Sequence, residues 1–369
     1  MMHHTPVQSG AVQSGAVQTA AVQTAVMGVS GYAGAELARL LLQHPCLKAA
    51  PPLFFSREGS APKQLASLHP QLTGMANGAA SPLIEPFDPA TLAARGVEVL
   101  FLATPHEQSR SYAPQALHAG IKVIDLSGAW RLTESRNRAV YQFEDEDCDC
   151  VAHTQAQAVY GLPELHRAAI ADADLVANPG CYATSIILAL KPLLAAGLVD
   201  LEHGIVCDAK SGVSGAGKTP TAKTHFMYAA DNLSAYSLFG HRHTGELLEQ
   251  LGLTDDAIVF TPHLLPIPRG ILSTIYLRLR ERTAAEQVEG CLRHFYRESP
   301  LVRVYPAGQL PQLQWSVRTS FADIGFELNA DGRRCVLVSC LDNLLKGAAA
   351  RAVQNLNLMC GWNETEGLL

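Results

Sequence analysis

Three glycines spaced three residues apart, in Gly28-Val-Ser-Gly-Tyr-Ala-Gly34, constrain this chain more than any other feature. An apolar strand over residues 22–27 precedes them, and Ala35-Glu-Leu-Ala-Arg-Leu-Leu-Leu42 continues as a helix. Strand, glycine turn and helix open a parallel α/β sheet. Small residues at such a turn let the backbone approach a pyrophosphate, which the helix N-terminus then faces. The spacing is Gly-x-x-Gly-x-x-Gly rather than Gly-x-Gly-x-x-Gly, a pattern that also serves as a plain tight connection. The acid that binds an NAD ribose about twenty residues further on is absent. Phe54-Phe-Ser-Arg57 stands there instead. A hydroxyl beside an arginine suits a ribose 2′-phosphate, so Ser56 and Arg57 favour NADP; the adjacent Glu58 speaks against it, and an ordinary exposed loop is the alternative.

Strands alternate with helices as far as residue 180: residues 97–104 and 122–127 read as strands, separated by a helix over 109–119. This predicts a parallel sheet with helices on both faces. Beyond residue 181 the pattern changes. Residues 205–209, 258–262 and 271–279 read as strands with few helices between them. A helix over 284–297 places Val288, Cys291, Leu292, Phe295 and Tyr296 on one face. Residues 321–328 and 333–341 flank the hairpin turn Asn329-Ala-Asp-Gly332. An Ala-rich helix over 343–359 is expected to return to the first sheet. The expected fold is α/β: a Rossmann-like parallel-sheet domain (22–180 and 343–369) with an inserted α+β substrate and oligomerisation domain (181–342) built on a mixed sheet. Residues 1–21 read as a low-complexity tail, because a Val-Gln pentapeptide repeat fills residues 7–26 without the basic and apolar regions of a secretory signal.

With 369 residues, 48% of them hydrophobic and 17% charged, the chain has material for two globular domains, and no run matches a membrane span. A formal charge of −6 leaves no basic patch for nucleic acid. Nine cysteines lie scattered without zinc-like pairs; Cys148-Asp-Cys150 lacks a matching second pair. They read as reduced thiols of a cytoplasmic protein.

The chemistry concentrates in Asn178-Pro-Gly-Cys-Tyr-Ala-Thr184, which runs into an apolar helix after a short strand over residues 175–177. Pro179 and Gly180 force a turn, so Cys181 stands at the helix N-terminus. There the helix dipole lowers the thiol pKa and offers a thiolate for acyl transfer. A buried, inert cysteine is the other reading these residues allow. In His241-Arg-His243-Thr-Gly-Glu246, His243 offers acid/base chemistry and Glu246, one helical turn on, a group to orient it. His-x-His also invites a metal, but no third ligand is evident, and a satisfied surface histidine fits too. The glycine-rich loop Lys210-Ser-Gly-Val-Ser-Gly-Ala-Gly217 can set backbone N–H groups against a cofactor or an acyl oxygen. Arg131, in Asp125-Leu-Ser-Gly-Ala-Trp-Arg131, ends a strand at the sheet edge where ligands bind, and can fork onto a phosphate or carboxylate or form a surface ion pair.

Taken together, these segments resemble the N-acetyl-γ-glutamyl-phosphate reductase family, relatives of aspartate-semialdehyde dehydrogenase. The likeness extends to Tyr160-Gly-Leu-Pro-Glu-Leu165, Gly240-His-Arg-His-Thr244, Phe260-Thr-Pro-His-Leu264 and Asp342-Asn-Leu-Leu-Lys-Gly347, in family order over nearly everything after the repeat. The resemblance implies an NADPH-dependent reduction of an acyl phosphate through a Cys181 thioester, with His243 as acid/base and His241 as its alternative. It implies cofactor contacts at Gly28, Ser30, Gly31, Tyr32, Ala33, Gly34, Ser56 and Arg57, with Ser214, Gly215 and Asn343 near the nicotinamide and Arg131 at the substrate phosphate; Lys210 and Arg242 are further candidate substrate contacts. It also implies a homodimer or homotetramer, leaving open a transient contact with the kinase that makes the acyl phosphate. Ala33 stands where the family usually has threonine, and Gly245 where proline is common. Rival readings are a sister reductase of aspartyl or N-acetyl-aminoadipyl phosphate, a non-catalytic NADP-binding regulator, and a cysteine acyltransferase or hydrolase.

Overall fold

The computed structural model describes residues 21–57, 59–75, 81–143 and 148–369. All but the last residue of the repeat tail, and Glu58, lie outside the described residues.

The first part of the chain supplies β1 (Thr24–Met27), β2 (Leu53–Ser56), β3 (Lys63–Gln64), β4 (Leu83–Pro86), β5 (Val99–Leu102), β6 (Lys122–Asp125), β7 (Ala158–Tyr160) and β8 (Leu175–Ala177). They form an eight-stranded sheet in the order β3-β4-β2-β1-β5-β6-β8-β7. Every pairing is parallel except that of the two-residue edge strand β3. β1 and β5 are buried at every position, as strands covered on both faces must be. Alternate side chains feed two cores. Val26, Phe54, Phe101 and Ile124 pack with Leu37 and Leu41 of helix α1 (Tyr32–Gln43), whereas Ala25, Phe55, Leu100 and Val123 pack with Ala113 and Ala116 of α2 (His106–His118). A helix α3 (Pro163–Ala171) precedes β8.

The second sheet is mixed: β9 (Ile205–Gly212), β10 (Ser234–Ala235), β11 (Ile258–Leu265), β12 (Ile271–Arg278), β13 (Val302–Val304), β14 (Ala322–Leu328) and β15 (Arg334–Leu341) lie in the order β10-β11-β9-β12-β15-β14-β13. Its inward residues Cys207, Ile275, Ile324 and Leu337 pack on helix α4 (Cys181–Ala195), together with α5 (Thr244–Leu251) and α6 (Ala285–Phe295). The apolar α4 is buried almost throughout, and its inward Ser185 hydroxyl bonds the hydroxyls of Ser273 and Ser339 at 2.8 and 3.1 Å. The sheet's other face leaves Val206, Val259 and Tyr276 exposed.

The last helix, α7 (Ala350–Met359), follows a π turn at Leu345–Ala349, so regular helix begins later than the composition predicts. Small side chains let it lie against α1 and α3, with Ala349, Ala350, Val353 and Leu356 in the first sheet's core. Its polar side is buried as well. Lys346 and Glu164 are both inaccessible and pair at 2.6 Å, and Gln354 bridges Lys346 at 2.8 Å and Glu364 at 2.7 Å.

Candidate active site

A cleft of about 810 Å³ opens between the two sheets, at the carboxyl ends of the parallel strands where open α/β folds bind ligands. Its glycines divide by physical need. Gly28 has φ +91°, and a Cβ there would lie 2.4 Å from the Ala103 carbonyl oxygen; one on Gly34 would lie 2.4 Å from that of Gly28. These two let strand and helix pack. At Gly31 the nearest atom would be 3.9 Å away, so its outer side is open to a ligand. Gly31 starts α1 without a side-chain cap and no acid occupies the first turn, leaving amide donors and the positive helix end facing the cleft. This cradle fits the pyrophosphate of a dinucleotide. Tyr32, Ala33 and Gly34 line the same wall, and Ser30 receives Lys218 Nζ on its carbonyl at 3.3 Å. Ser56 ends β2 with its hydroxyl on the Glu85 carbonyl at 3.3 Å, and Arg57 follows, exposed. Across the cleft, Asn343 donates to Ser214 Oγ at 2.9 Å and accepts from the Gly270 amide at 2.7 Å; Gly215 lies beside them.

Cys181 is the first residue of α4, with Gly180 as its N-cap, and it lines the cleft. Two close approaches fix its surroundings. A Cβ on Gly180 would lie 2.4 Å from His243 Nε2, so the imidazole rests directly on the residue before the cysteine. A Cβ on Gly347 would lie 2.8 Å from Cys181 Cβ, so the π turn before α7 crosses immediately beside it. Burial pushes the Cys181 thiol up, outweighing the Tyr182 amide and the Arg131 and Arg351 guanidiniums that pull it down. This direction is opposite to the one expected from the helix N-terminus alone. Burial, with His241 and the nearby arginines, pushes His243 well below its ordinary value. Thiol and imidazole thus both rest uncharged. His243 Nδ1 has no partner among the described residues, and Nε2 is 4.0 Å from Glu246 Oε1, beyond hydrogen-bond reach.

Glu246 does not orient His243 as its spacing predicts. Fully buried, it accepts from Arg131 at 3.1 Å, the Tyr160 hydroxyl at 2.7 Å and the Gly180 amide at 2.9 Å, and so holds the turn that presents Cys181. His241, pushed down to about 4 mainly by burial, accepts the His243 amide on Nδ1 at 3.1 Å and packs edge-on to Tyr182. Arg131 lines the cleft but is itself tied inward, donating also to the carbonyls of Asn178 and Leu126 at 2.8 Å each. Lys210 is not a cleft residue. β9 continues through it to Gly212, and strand alternation turns it to the sheet's other face, where it pairs with Asp208 at 2.7 Å. Arg242 stands exposed on the cleft wall with no hydrogen bond or ion pair among the described residues. No group of His, Cys, Asp and Glu among the described residues is arranged to hold a metal ion.

One supporting residue gave no sequence signal. Arg351 looks like a charge on a helix face, yet it is wholly buried and donates to the Thr184 hydroxyl and to the carbonyls of Pro179 and, at 2.8 Å, Gly347. Together with Arg131 it clamps both sides of the cysteine turn.

Two family models match this chain: the NAD binding domain of semialdehyde dehydrogenase over residues 23–173, and the semialdehyde dehydrogenase dimerisation domain over 181–343. An N-acetyl-gamma-glutamyl-phosphate reductase of Cyanothece sp. is 42% identical over 347 residues, covering 93% of this chain and 95% of the relative. One of Desulforudis audaxviator is 43% identical over 351 residues, covering 93% and 97%. The chain belongs to the N-acetyl-γ-glutamyl-phosphate reductase family. As a member it is an oxidoreductase of the phosphorylating semialdehyde dehydrogenase type, with a nicotinamide cofactor and a dimerisation domain. Solved structures share the reductase fold: aspartate semialdehyde dehydrogenase II of Vibrio cholerae complexed with ASA has a TM-score of 0.65 at 20% identity, covering 92% of this chain and 98% of that one. The Candida albicans aspartate semialdehyde dehydrogenase with NADP has 0.66 at 16%, covering 92% and 98%.

Proposed function

We propose that this reductase converts N-acetyl-L-glutamyl 5-phosphate to N-acetyl-L-glutamate 5-semialdehyde and phosphate in arginine biosynthesis, using NADPH and a Cys181 thioester. The observation that carries the reading is one cleft lined by the open cradle of Gly31, by Cys181 at the start of α4 and by the His243 imidazole resting on the preceding Gly180.

Neutral His243 takes the thiol proton as Cys181 Sγ bonds to the acyl carbon. The developing oxyanion meets the Cys181 amide in the first turn of α4. The carbon–oxygen bond to phosphate breaks, its electron pair leaves with the phosphate, and a thioester remains. The positive charge of Arg131 at the cleft wall favours that departure. When bound, the reduced nicotinamide supplies a hydride for the thioester carbon. His243 then returns its proton to Sγ as the carbon–sulfur bond breaks and the aldehyde is freed. A neutral pair in a desolvated site suits this shuttle, because no charge has to be buried before the substrate arrives.

Gly31, Tyr32, Ala33 and Gly34 take the pyrophosphate, Ser56 and Arg57 the 2′-phosphate, and Ser214, Gly215 and Asn343 the nicotinamide end. Arg57→Ala should raise the KM for NADP⁺ by about 10–100-fold, the worth of a charge-assisted hydrogen bond, and leave weaker NAD⁺ use nearly unchanged. Equal effects on both cofactors would remove Arg57 from the 2′-phosphate site.

The exposed apolar residues Val206, Val259 and Tyr276, on one face of a sheet within the matched dimerisation domain, support a homodimer. Cys46, Cys181, Cys207, Cys291, Cys335, Cys340 and Cys360 form no disulfide among the described residues, which supports a reducing, cytoplasmic setting. No helix among the described residues is long and apolar enough to cross a membrane.

The test is reduction of NADP⁺ by N-acetylglutamate semialdehyde in the reverse direction. Turnover should require phosphate, stop on alkylating Cys181, and exceed that with aspartate or N-acetyl-aminoadipate semialdehyde. A faster sister substrate would move the pocket assignment, and NADPH binding without any turnover would leave a non-catalytic protein.

A further inference from the structure

Tyr141 lies on the cleft wall in the turn Ala139–Tyr141 and is only 7% exposed, yet its hydroxyl has no hydrogen-bond partner among the described residues. An unmet buried hydroxyl costs free energy, so a ligand that satisfies it gains that amount on binding. The ring is held in place. It stacks on Phe143 at 5.0 Å with an interplanar angle of 7°, and meets His106 edge-on at 5.3 Å. A Cβ on Gly128 would lie 2.3 Å from the hydroxyl, so the glycine there is what leaves room for it. Burial pushes the phenol up to about 12, so it keeps its proton as a donor. Arg242, from the loop before α5, brings the second donor to the cleft wall: its positive charge bears on Tyr141, less strongly than that of the inward-tied Arg131, and on His106, and nothing described engages its guanidinium. Two chain segments far apart in sequence thus bring to the cleft wall two donors that no acceptor among the described residues engages.

We propose that Tyr141 and Arg242, with Tyr141 steadied by His106 and Gly128, form a subsite for the α-carboxylate of the substrate. This rests on the reading above and extends it to the end of the substrate that does not react. A planar carboxylate takes two N–H bonds from a guanidinium fork and still has a lone pair for a phenol. The Arg242 guanidinium, unengaged by any described residue, also matches the carboxylate's single charge, whereas the phosphoryl group carries more charge and departs from the carbon held at Cys181.

The reverse reaction tests it with semialdehyde and phosphate varied separately. Tyr141→Phe, which removes one oxygen and keeps the ring stack, should raise the KM for N-acetylglutamate semialdehyde about tenfold, with a larger effect on KM than on kcat and little on the KM for phosphate. Arg242→Gln, at an exposed position and hence safe for folding, should do the same more strongly. With the α-carboxamide analogue of the semialdehyde, parent and both variants should have similar KM values. A rise in the phosphate KM instead would assign the subsite to the phosphoryl group and overturn the proposal, as would unchanged constants in both variants. A parent protein that fails to turn over N-acetylglutamate semialdehyde would overturn the function itself, and the carboxylate assignment with it.

Discussion

Cys181→Ser is expected to lose roughly three to five orders of magnitude in turnover while binding NADPH as tightly as the parent, as removal of a nucleophile does where binding groups survive. The substitution keeps the volume and the α4 N-terminus. What changes is the acidity of the attacking group: His243, itself pushed well down, is a weak base that can deprotonate a thiol during attack but not an alcohol. Steady-state turnover with semialdehyde and phosphate, beside a fluorescence titration with NADPH, reads both halves. Activity near the parent level would end the thioester mechanism. The resting state of the pair has its own signature. Because burial raises the thiol, the thiolate fraction at neutral pH falls below that of an ordinary cysteine, and iodoacetamide labelling of the ligand-free protein should accelerate with a midpoint above the free-thiol value. A midpoint below it would show that the helix end and the two arginines win.

Lys346→Met should be the most damaging single change to the fold. It removes one member of a fully buried ion pair and leaves Glu164 without its counter-charge, which typically costs about 3–5 kcal/mol. In a chain of this size that corresponds to a fall in Tm on the order of 10 °C. The neighbouring Gln354 carries no charge to replace it and already donates to both Glu164 Oε1, at 3.2 Å, and Glu364, and Glu164 Oε2 has no partner among the described residues. Differential scanning fluorimetry of the single variant and of Lys346→Met with Glu164→Leu separates the causes. The double variant should recover much of the loss, since no charge is then stranded. A single variant with an unchanged Tm would mean that the pair contributes nothing to stability.

Local pattern carried much of this fold. The apolar strands, the helix that starts at Cys181 and the Asn329–Gly332 hairpin are stated by their own residues, because each depends on periodicity or turn chemistry within a dozen positions. The misread parts depend on distant partners. Glu246 sits one helical turn from His243, but Tyr160, Arg131 and the Gly180 amide come from elsewhere in the chain and hold it first. Lys210 reads as the start of a glycine loop, yet β9 gains two neighbours that extend it to Gly212, and its alternation carries Lys210 to the wrong face. The buried network of Lys346, Arg351 and Gln354 looks like the polar side of a surface helix until α3 and the cysteine turn close over it. Edge strands of two or three residues, such as β3 and β10, are too short for any period to announce.

The crossing of Gly347 beside Cys181 also sets an order of events during synthesis. The nucleophile leaves the ribosome well before Gly347, Arg351 and the rest of α7, which follow every strand of both sheets. Until they emerge, the cysteine turn lacks one of its two arginine clamps, Glu164 lacks its lysine, and one layer of the first sheet is bare. A nascent chain therefore holds the strands of both sheets while α1 is still uncovered on its α7 side and the cysteine turn is only half clamped. Docking of α7 thus completes the support of the nucleophile after the strands of both sheets have been made.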